Sequence, residues 1–159
     1  MLKGVRDQLV GDDPELLGRR SVEGCGLGLE PGRSGDAIVT RRKGVASLLV
    51  SAKGAAAHAG VDHAAGRNAI WSLSRFVDRA QALTDYAKGV TLNVGAFQGG
   101  TTRNTVPDAA RAEVDLRYVT TEDGATIYAA LEEAAAASTV EGTQLEVSKI
   151  AWRPPCSSS

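Results

Sequence analysis

Arg111-Ala112-Glu113-Val114-Asp115-Leu116-Arg117-Tyr118 alternates without a break. Ala112, Val114, Leu116 and Tyr118 fall on one side of a two-residue repeat, and Arg111, Glu113, Asp115 and Arg117 fall on the other. Successive strand side chains point to opposite faces, so this is a strand with one face to bury and one to leave wet. Such a strand suits an antiparallel sheet covered on one side only.

The neighbouring segments supply the rest of that sheet and its cover. Upstream, Val90, Leu92, Val94 and Ala96 alternate as a second strand, ended by Gly99-Gly100. Before it, residues 68–83 carry Ile70, Leu73, Phe76, Val77, Ala80 and Leu83 at helical spacing. Residues 45–52 are rich in Val and Leu and read as a strand. Downstream, Thr120-Thr121-Glu122-Asp123 reads as a helix cap with acids in the first turn. Ile127, Ala130, Leu131, Ala134 and Ala135 continue that helix, Gly142 stops it, and residues 145–152 form a last strand. From Gly44 onward the order is strand, helix, strand, strand, helix, strand. Two split strand–helix–strand units predict an α+β, ferredoxin-like βαββαβ sandwich, with a four-stranded antiparallel sheet and both helices on one face.

Composition narrows the function classes. The chain has 159 residues, 43% of them apolar but only 4% aromatic, so the core is to be built from Val, Leu, Ile and Ala. A net charge of −1 points away from nucleic acid and from an anionic membrane surface. No apolar run is long enough to span a bilayer. Cys25 and Cys156 lie far apart and make no CxxC pair. They read as free thiols, which makes the cytoplasm the default compartment. Residues 1–20 show little periodicity and read as a short helix or frayed lead-in. A Gly-rich stretch, Gly24 to Gly35, follows, then a short strand from Ala37 to Thr40 and a solvated basic turn at Arg41-Arg42-Lys43. The expected division is a lead-in over 1–43, the folded domain over 44–153 and a disordered tail over 154–159.

Fold alone says nothing about function, but three motifs lie along this one in order. Gly54-Ala55-Ala56-Ala57-His58-Ala59-Gly60 is followed by Gly66-Arg67-Asn68-Ala69-Ile70. Gly99-Gly100-Thr101-Thr102-Arg103-Asn104-Thr105-Val106-Pro107-Asp108 follows, and then Asp115-Leu116-Arg117. With Leu29-Glu30-Pro31-Gly32 and Lys43-Gly44-Val45 upstream, the series resembles the dimerisation ("lid") domain of M20-family zinc peptidases and deacylases, with a glutamate carboxypeptidase-like flavour. The resemblance covers roughly residues 27–153.

The resemblance implies that the domain is inserted into a larger catalytic domain holding two zinc ions. That site needs several His, Asp and Glu ligands and a Glu general base. This sequence has no H-x-D upstream, no Glu-Glu pair before a Gly-Ser and no late His; Glu30 alone matches a zinc-ligand position. No zinc is therefore expected on this chain, which reads as a fragment without hydrolytic activity of its own.

His58 matches a histidine that reaches into the partner subunit and donates to the oxygen of a tetrahedral intermediate. The bland alternative is an exposed loop histidine. Asn104 and Arg117 match residues that bind the substrate's carbonyl or carboxylate. Their bland alternatives are a turn residue and a cross-strand ion pair. His63 reads as incidental. The resemblance also implies a homodimer through strand 90–97 and helix 68–83. The competing functions are a free-standing ferredoxin-like module for a small regulatory ligand, and a remnant that folds but serves nothing.

Overall fold

The structure, a computed structural model, describes residues 41–157. The lead-in over 1–20, the Gly-rich stretch with Glu30, and the short strand expected at Ala37 to Thr40 lie outside the described residues. In chain order the elements are β1 (Arg41–Arg42), β2 (Gly44–Lys53), β3 (Ala57–His58), a 3₁₀ turn (His63–Ala65), α1 (Ala69–Gln81) and β4 (Thr91–Gly99). Then come β5 (Thr105–Val106), β6 (Ala109–Tyr118), α2 (Thr121–Ser138), β7 (Gln144–Arg153) and β8 (Cys156–Ser157).

The four long strands form one antiparallel sheet in the order β4-β6-β2-β7. This is the expected ferredoxin-like sandwich. The alternation in β6 sets its two faces: Ala110, Ala112, Val114, Leu116 and Tyr118 are buried, while Arg111, Glu113 and Arg117 are exposed. Opposite them Ala46, Leu48, Val50 and Ala52 of β2 are buried. Ala69, Leu73, Phe76 and Ala80 of α1, with Leu131 and Ala135 of α2, complete the core. A strand face left dry on one side only can have a single partner layer, and here both helices supply it.

Local chemistry fixes the helix ends. Asn68 Oδ1 accepts from Trp71 N–H at 2.9 Å and starts α1. Thr120 Oγ1 accepts from Asp123 N–H at 3.0 Å and starts α2, with Glu122 and Asp123 in its first turn. After α2 the chain reverses through Gly142 at φ +76°, a backbone shape that glycine adopts without a Cβ clash. The hydroxyls of Ser72 on α1 and Thr143 on this turn lie 2.6 Å apart, and Val140 N–H donates to Ser72 Oγ at 2.9 Å. That buried polar bridge ties the two helices together at one end.

Two strands depart from simple alternation. In β4 the register slips between Val94 and Ala96. Val94 sits opposite Val114, but Ala96 sits opposite Glu113 and Phe97 opposite Ala112. The extra residue, Gly95, thus moves Ala96 to the open face and Phe97 to the helix side, where the sequence placed Val94 and Ala96 together. In β7 the extra residue is Ile150, between Lys149 opposite Leu48 and Ala151 opposite Ser47. Lys149 thereby comes to the helix side, with Nζ 3.9 Å from the centre of the Tyr128 ring and 4.7 Å from that of Trp152.

The ends differ from expectation as well. Arg41-Arg42, read as a solvated turn, and Cys156-Ser157, read as disordered, pair with each other as β1 and β8. Two antiparallel residues from each end supply backbone partners that the composition of the tail does not advertise. Cys156 is disulfide-bonded, so the free-thiol reading is corrected at that residue. Among the described residues no helix is long and apolar enough to cross a membrane.

The strand faces make two predictions. Leu116 is fully buried, so Leu116→Ala lowers unfolding free energy by roughly 2–5 kcal/mol. Arg117→Ala costs less than about 1 kcal/mol, because its charge is exposed. Urea unfolding of the two variants checks the contrast, and equal losses would mean the faces are reversed.

The second concerns Tyr118, whose ring is fully buried and whose hydroxyl donates to Arg153 O at 2.8 Å. Burial pushes this phenol above its ordinary value of 10.0. The unfolded chain loses its tyrosine protons first, so the folded state binds more protons and stability falls as pH rises past about 10. Thermal melting between neutral and strongly alkaline pH reads this, and Tyr118→Phe flattens the alkaline fall.

Candidate functional site

Two loops emerge side by side from one end of the sheet. Because Lys53 pairs with Ala109, the chain leaving β2 and the chain entering β6 start as neighbours. Backbone hydrogen bonds then keep them together. Gly54 N–H donates to Asp108 O at 2.7 Å, and Ala69 N–H donates to Pro107 O at 2.8 Å. Ala55 and Arg67 exchange bonds at 2.9 and 2.8 Å, which closes residues 55–67 into a loop at its base. A Cβ at Gly54 would run into the carbonyl oxygen of Arg67, so the closure requires glycine there. A Cβ at Gly66 would meet the Val106 side chain at 2.7 Å. Arg67 holds the loop from inside, with Nη1 donating to Ala64 O and Gly66 O at 2.8 Å each.

This framework joins the two motifs that carry the candidate residues. Ala57 pairs with Val106 and His58 with Thr105 in the β3–β5 ladder, and Ala59 N–H donates to Asn104 O at 2.8 Å. His58 and Asn104 are both exposed. Gly60 N–H donates to His58 Nδ1 at 3.1 Å. Thr102 Oγ1 donates to Asn104 Oδ1 at 2.9 Å and lies 2.9 Å from Thr105 Oγ1. The sequence singled out neither Gly60 nor Thr102. The available signal was their spacing, each two residues from a candidate side chain.

Arg117 is elsewhere. It lies near the opposite end of β6, between Val45 of β2 and Thr91 of β4. Ala109 to Arg117 is eight residue steps, about 26 Å at the usual strand rise. The structure therefore unites His58 with Asn104 and separates both from Arg117. On the open face Arg117 Nε donates to Asp115 Oδ2 at 2.8 Å, with both side chains about half exposed. The ion pair is within one strand, not across two. Residues two apart share a face, which is why D-x-R can pair with itself. Next along that face, Arg111 donates to Gln98 Oε1 at 3.1 and 2.7 Å.

The described residues do not fit a zinc site. Among them no three His, Cys, Asp or Glu side chains come together. Glu30 lies outside the described residues.

Comparison with known proteins follows the same outline. Residues 40–143 match the family described as the peptidase dimerisation domain, M20_dimer. Carboxypeptidase G2 of Pseudomonas sp. (strain RS-16) is 30% identical over 129 residues, 80% of this chain and 31% of that protein. A succinyl-diaminopimelate desuccinylase of Cereibacter sphaeroides (strain ATCC 17029 / ATH 2.4.9) is 30% identical over 125 residues, 74% of this chain and 33% of that one. Among solved structures, an aminobenzoyl-glutamate utilization protein from Klebsiella pneumoniae superposes with a TM-score of 0.69 at 24% identity, over 74% of this chain and 30% of its own. The chain spans about a third of the length of the curated relatives it matches. The family match covers β2, β4 and β6 of the sheet, both helices and both site loops, so this chain belongs to the M20 peptidase dimerisation domain family.

Proposed function

We propose that this chain serves as the dimerising lid of a zinc-dependent M20 peptidase or amidohydrolase acting on acyl-amino acid or glutamyl peptide bonds. One observation carries the reading: the β3–β5 ladder brings His58 and Asn104 together on an exposed loop pair. Both side chains can donate hydrogen bonds to a negative oxygen, which is what hydrolysis of an acyl bond demands. Arg117 is the carboxylate-binding group, through its planar fork. Its distance from His58 gives the dimer a purpose: one site can use both groups if they come from different chains. The zinc ions and their ligands belong to the enclosing catalytic domain, with Glu30 as the one ligand position reached here. The domain proper is residues 44–153. A cytoplasmic location rested on free thiols, and the bonded Cys156 withdraws that support.

The dimer forms between β4 and its copy, with α1 packed beside its own copy across a two-fold axis. The sheet has two edges, β4 and β7. β7 carries Glu146, Lys149 and Arg153 and an outward Ile150 at its irregularity, features that discourage pairing. β4 has no charged residue and no proline. Beside it Trp71 on α1 is 60% exposed and Phe97 is 41% exposed, apolar area that a second copy would cover. A closed pair uses the same patch twice and so stops at two.

Two outcomes test this reading. Sedimentation at tens of micromolar, roughly where a weak standard-size interface fills, gives a dimer that Val94→Lys dissociates. A monomer at that concentration, unchanged by the substitution, overturns it. Separately, the 159-residue chain hydrolyses neither acyl-amino acids nor glutamyl peptides, with or without added zinc, because it lacks a ligand set and a general base. Zinc-dependent turnover that Glu30→Ala abolishes would show that this chain carries a working site.

A further inference from the structure

We infer that Thr102 and the Gly60 backbone are positioning groups that set both His58 and Asn104 as outward hydrogen-bond donors. The inference deepens the reading above by naming what prepares the loop pair for an anionic oxygen.

The argument starts with what each side chain can do. A neutral imidazole has one donor nitrogen and one acceptor, and a carboxamide has an acceptor oxygen and a donor NH₂. Either group could therefore face a ligand with the wrong end. At His58 the choice is made by Gly60, whose N–H donates to Nδ1 at 3.1 Å. An amide hydrogen cannot donate to a protonated ring nitrogen, so the ring proton sits on Nε2.

At Asn104 the choice is made by Thr102. Its hydroxyl has a single hydrogen, given to Asn104 Oδ1 at 2.9 Å. The 2.9 Å contact with Thr105 Oγ1 must then run the other way, with Thr105 donating to Thr102. The chain Thr105 to Thr102 to Asn104 occupies the amide oxygen and leaves Nδ2–H₂ outward. Thr105 is directly opposite His58 in the ladder, so the hydroxyl chain and the imidazole share one face. Two donors facing outward on one face suit a carboxylate or a tetrahedral oxyanion, and they repel a cation. The donors are oriented before any ligand arrives, so no reorganisation is needed at binding.

Nuclear magnetic resonance of the ¹⁵N-labelled 159-residue chain tests this without turnover or dimerisation, so its failure is distinct from failure of the lid reading. The spectra are taken at a pH where imidazoles are neutral. His63, exposed on the same loop, is the internal reference. His58 is expected as the Nε2–H tautomer to a greater extent than His63. Nuclear Overhauser contacts from the Asn104 Nδ2 hydrogens to Thr102 are expected to be weaker than an Nδ2–H bond to Thr102 Oγ1 would give. In Thr102→Val the Asn104 amide loses its single orientation, and Thr102→Ser restores it. A His58 tautomer population equal to that of His63, or Asn104 Nδ2 hydrogens against Thr102 in the unmodified chain, overturns the inference. Both of those readings come from the unsubstituted protein, so they hold even if Thr102→Val does not fold.

Discussion

The register between β2 and β6 is the constraint on which the rest depends. Ten consecutive pairs run from Gly44 with Tyr118 to Lys53 with Ala109, without a slip. Burial on one face alone holds that register, because a one-residue shift would either turn Leu48 and Val50 outward or draw Arg111 and Glu113 inward. Burying unpaired charge costs several kcal/mol per ion, and losing the apolar burial adds roughly 1.5–3 kcal/mol for each large side chain. The same register leaves Lys53 beside Ala109 at one end. The two loops carrying His58 and Asn104 start as neighbours for that reason, and the β3–β5 ladder then holds them together.

At the other end the register stacks Gly44 under the Tyr118 ring, with Gly124 of α2 on a second side. A Cβ at Gly124 would lie 2.8 Å from Tyr118 Cδ2, and one at Gly44 would lie inside the ring's contact distance. Two missing side chains thus make the slot for the largest core side chain. Trp152 follows, with its ring centre 5.3 Å from that of Tyr118 and 5.9 Å from that of Tyr128. A chain so poor in aromatics concentrates three of them where β6, α2 and β7 meet.

The sandwich was legible because burial on one face imprints a period on the sequence. β6 and α1 carry that period cleanly, and both are found within two residues of where the sequence sets them. What was not legible has no period. Gly95 and Ile150 reset the faces of β4 and β7 by one residue each, and single insertions of this kind look like ordinary strand residues. Pairing of Arg41–Arg42 with Cys156–Ser157 joins segments more than a hundred residues apart, and long-range pairing of two-residue strands has no local signature. At the candidate site the motifs named His58 and Asn104. They could not say that Arg117 sits far away, because separation along β6 follows from register and not from composition.

Arg117 and the loop pair also differ in how they are held. His58 and Asn104 sit on backbone fastened by hydrogen bonds at Gly54, Ala55, Ala59 and Arg67, and two of the glycines there have no room for a Cβ. Their positions are set by main chain, so most nearby side-chain changes would leave them in place. Arg117 rides on a rigid strand, but its guanidinium is already engaged by Asp115 at 2.8 Å. An exposed pair of that kind contributes about 0–1 kcal/mol. For the proposed carboxylate-binding role that is small enough to let a ligand compete for the guanidinium, yet it favours a side chain laid along the open face. In the proposed binding roles Asp115 acts on Arg117 as Thr102 acts on Asn104: a weak local bond limits conformational freedom in advance, which lowers the entropy cost of ordering the side chain at binding.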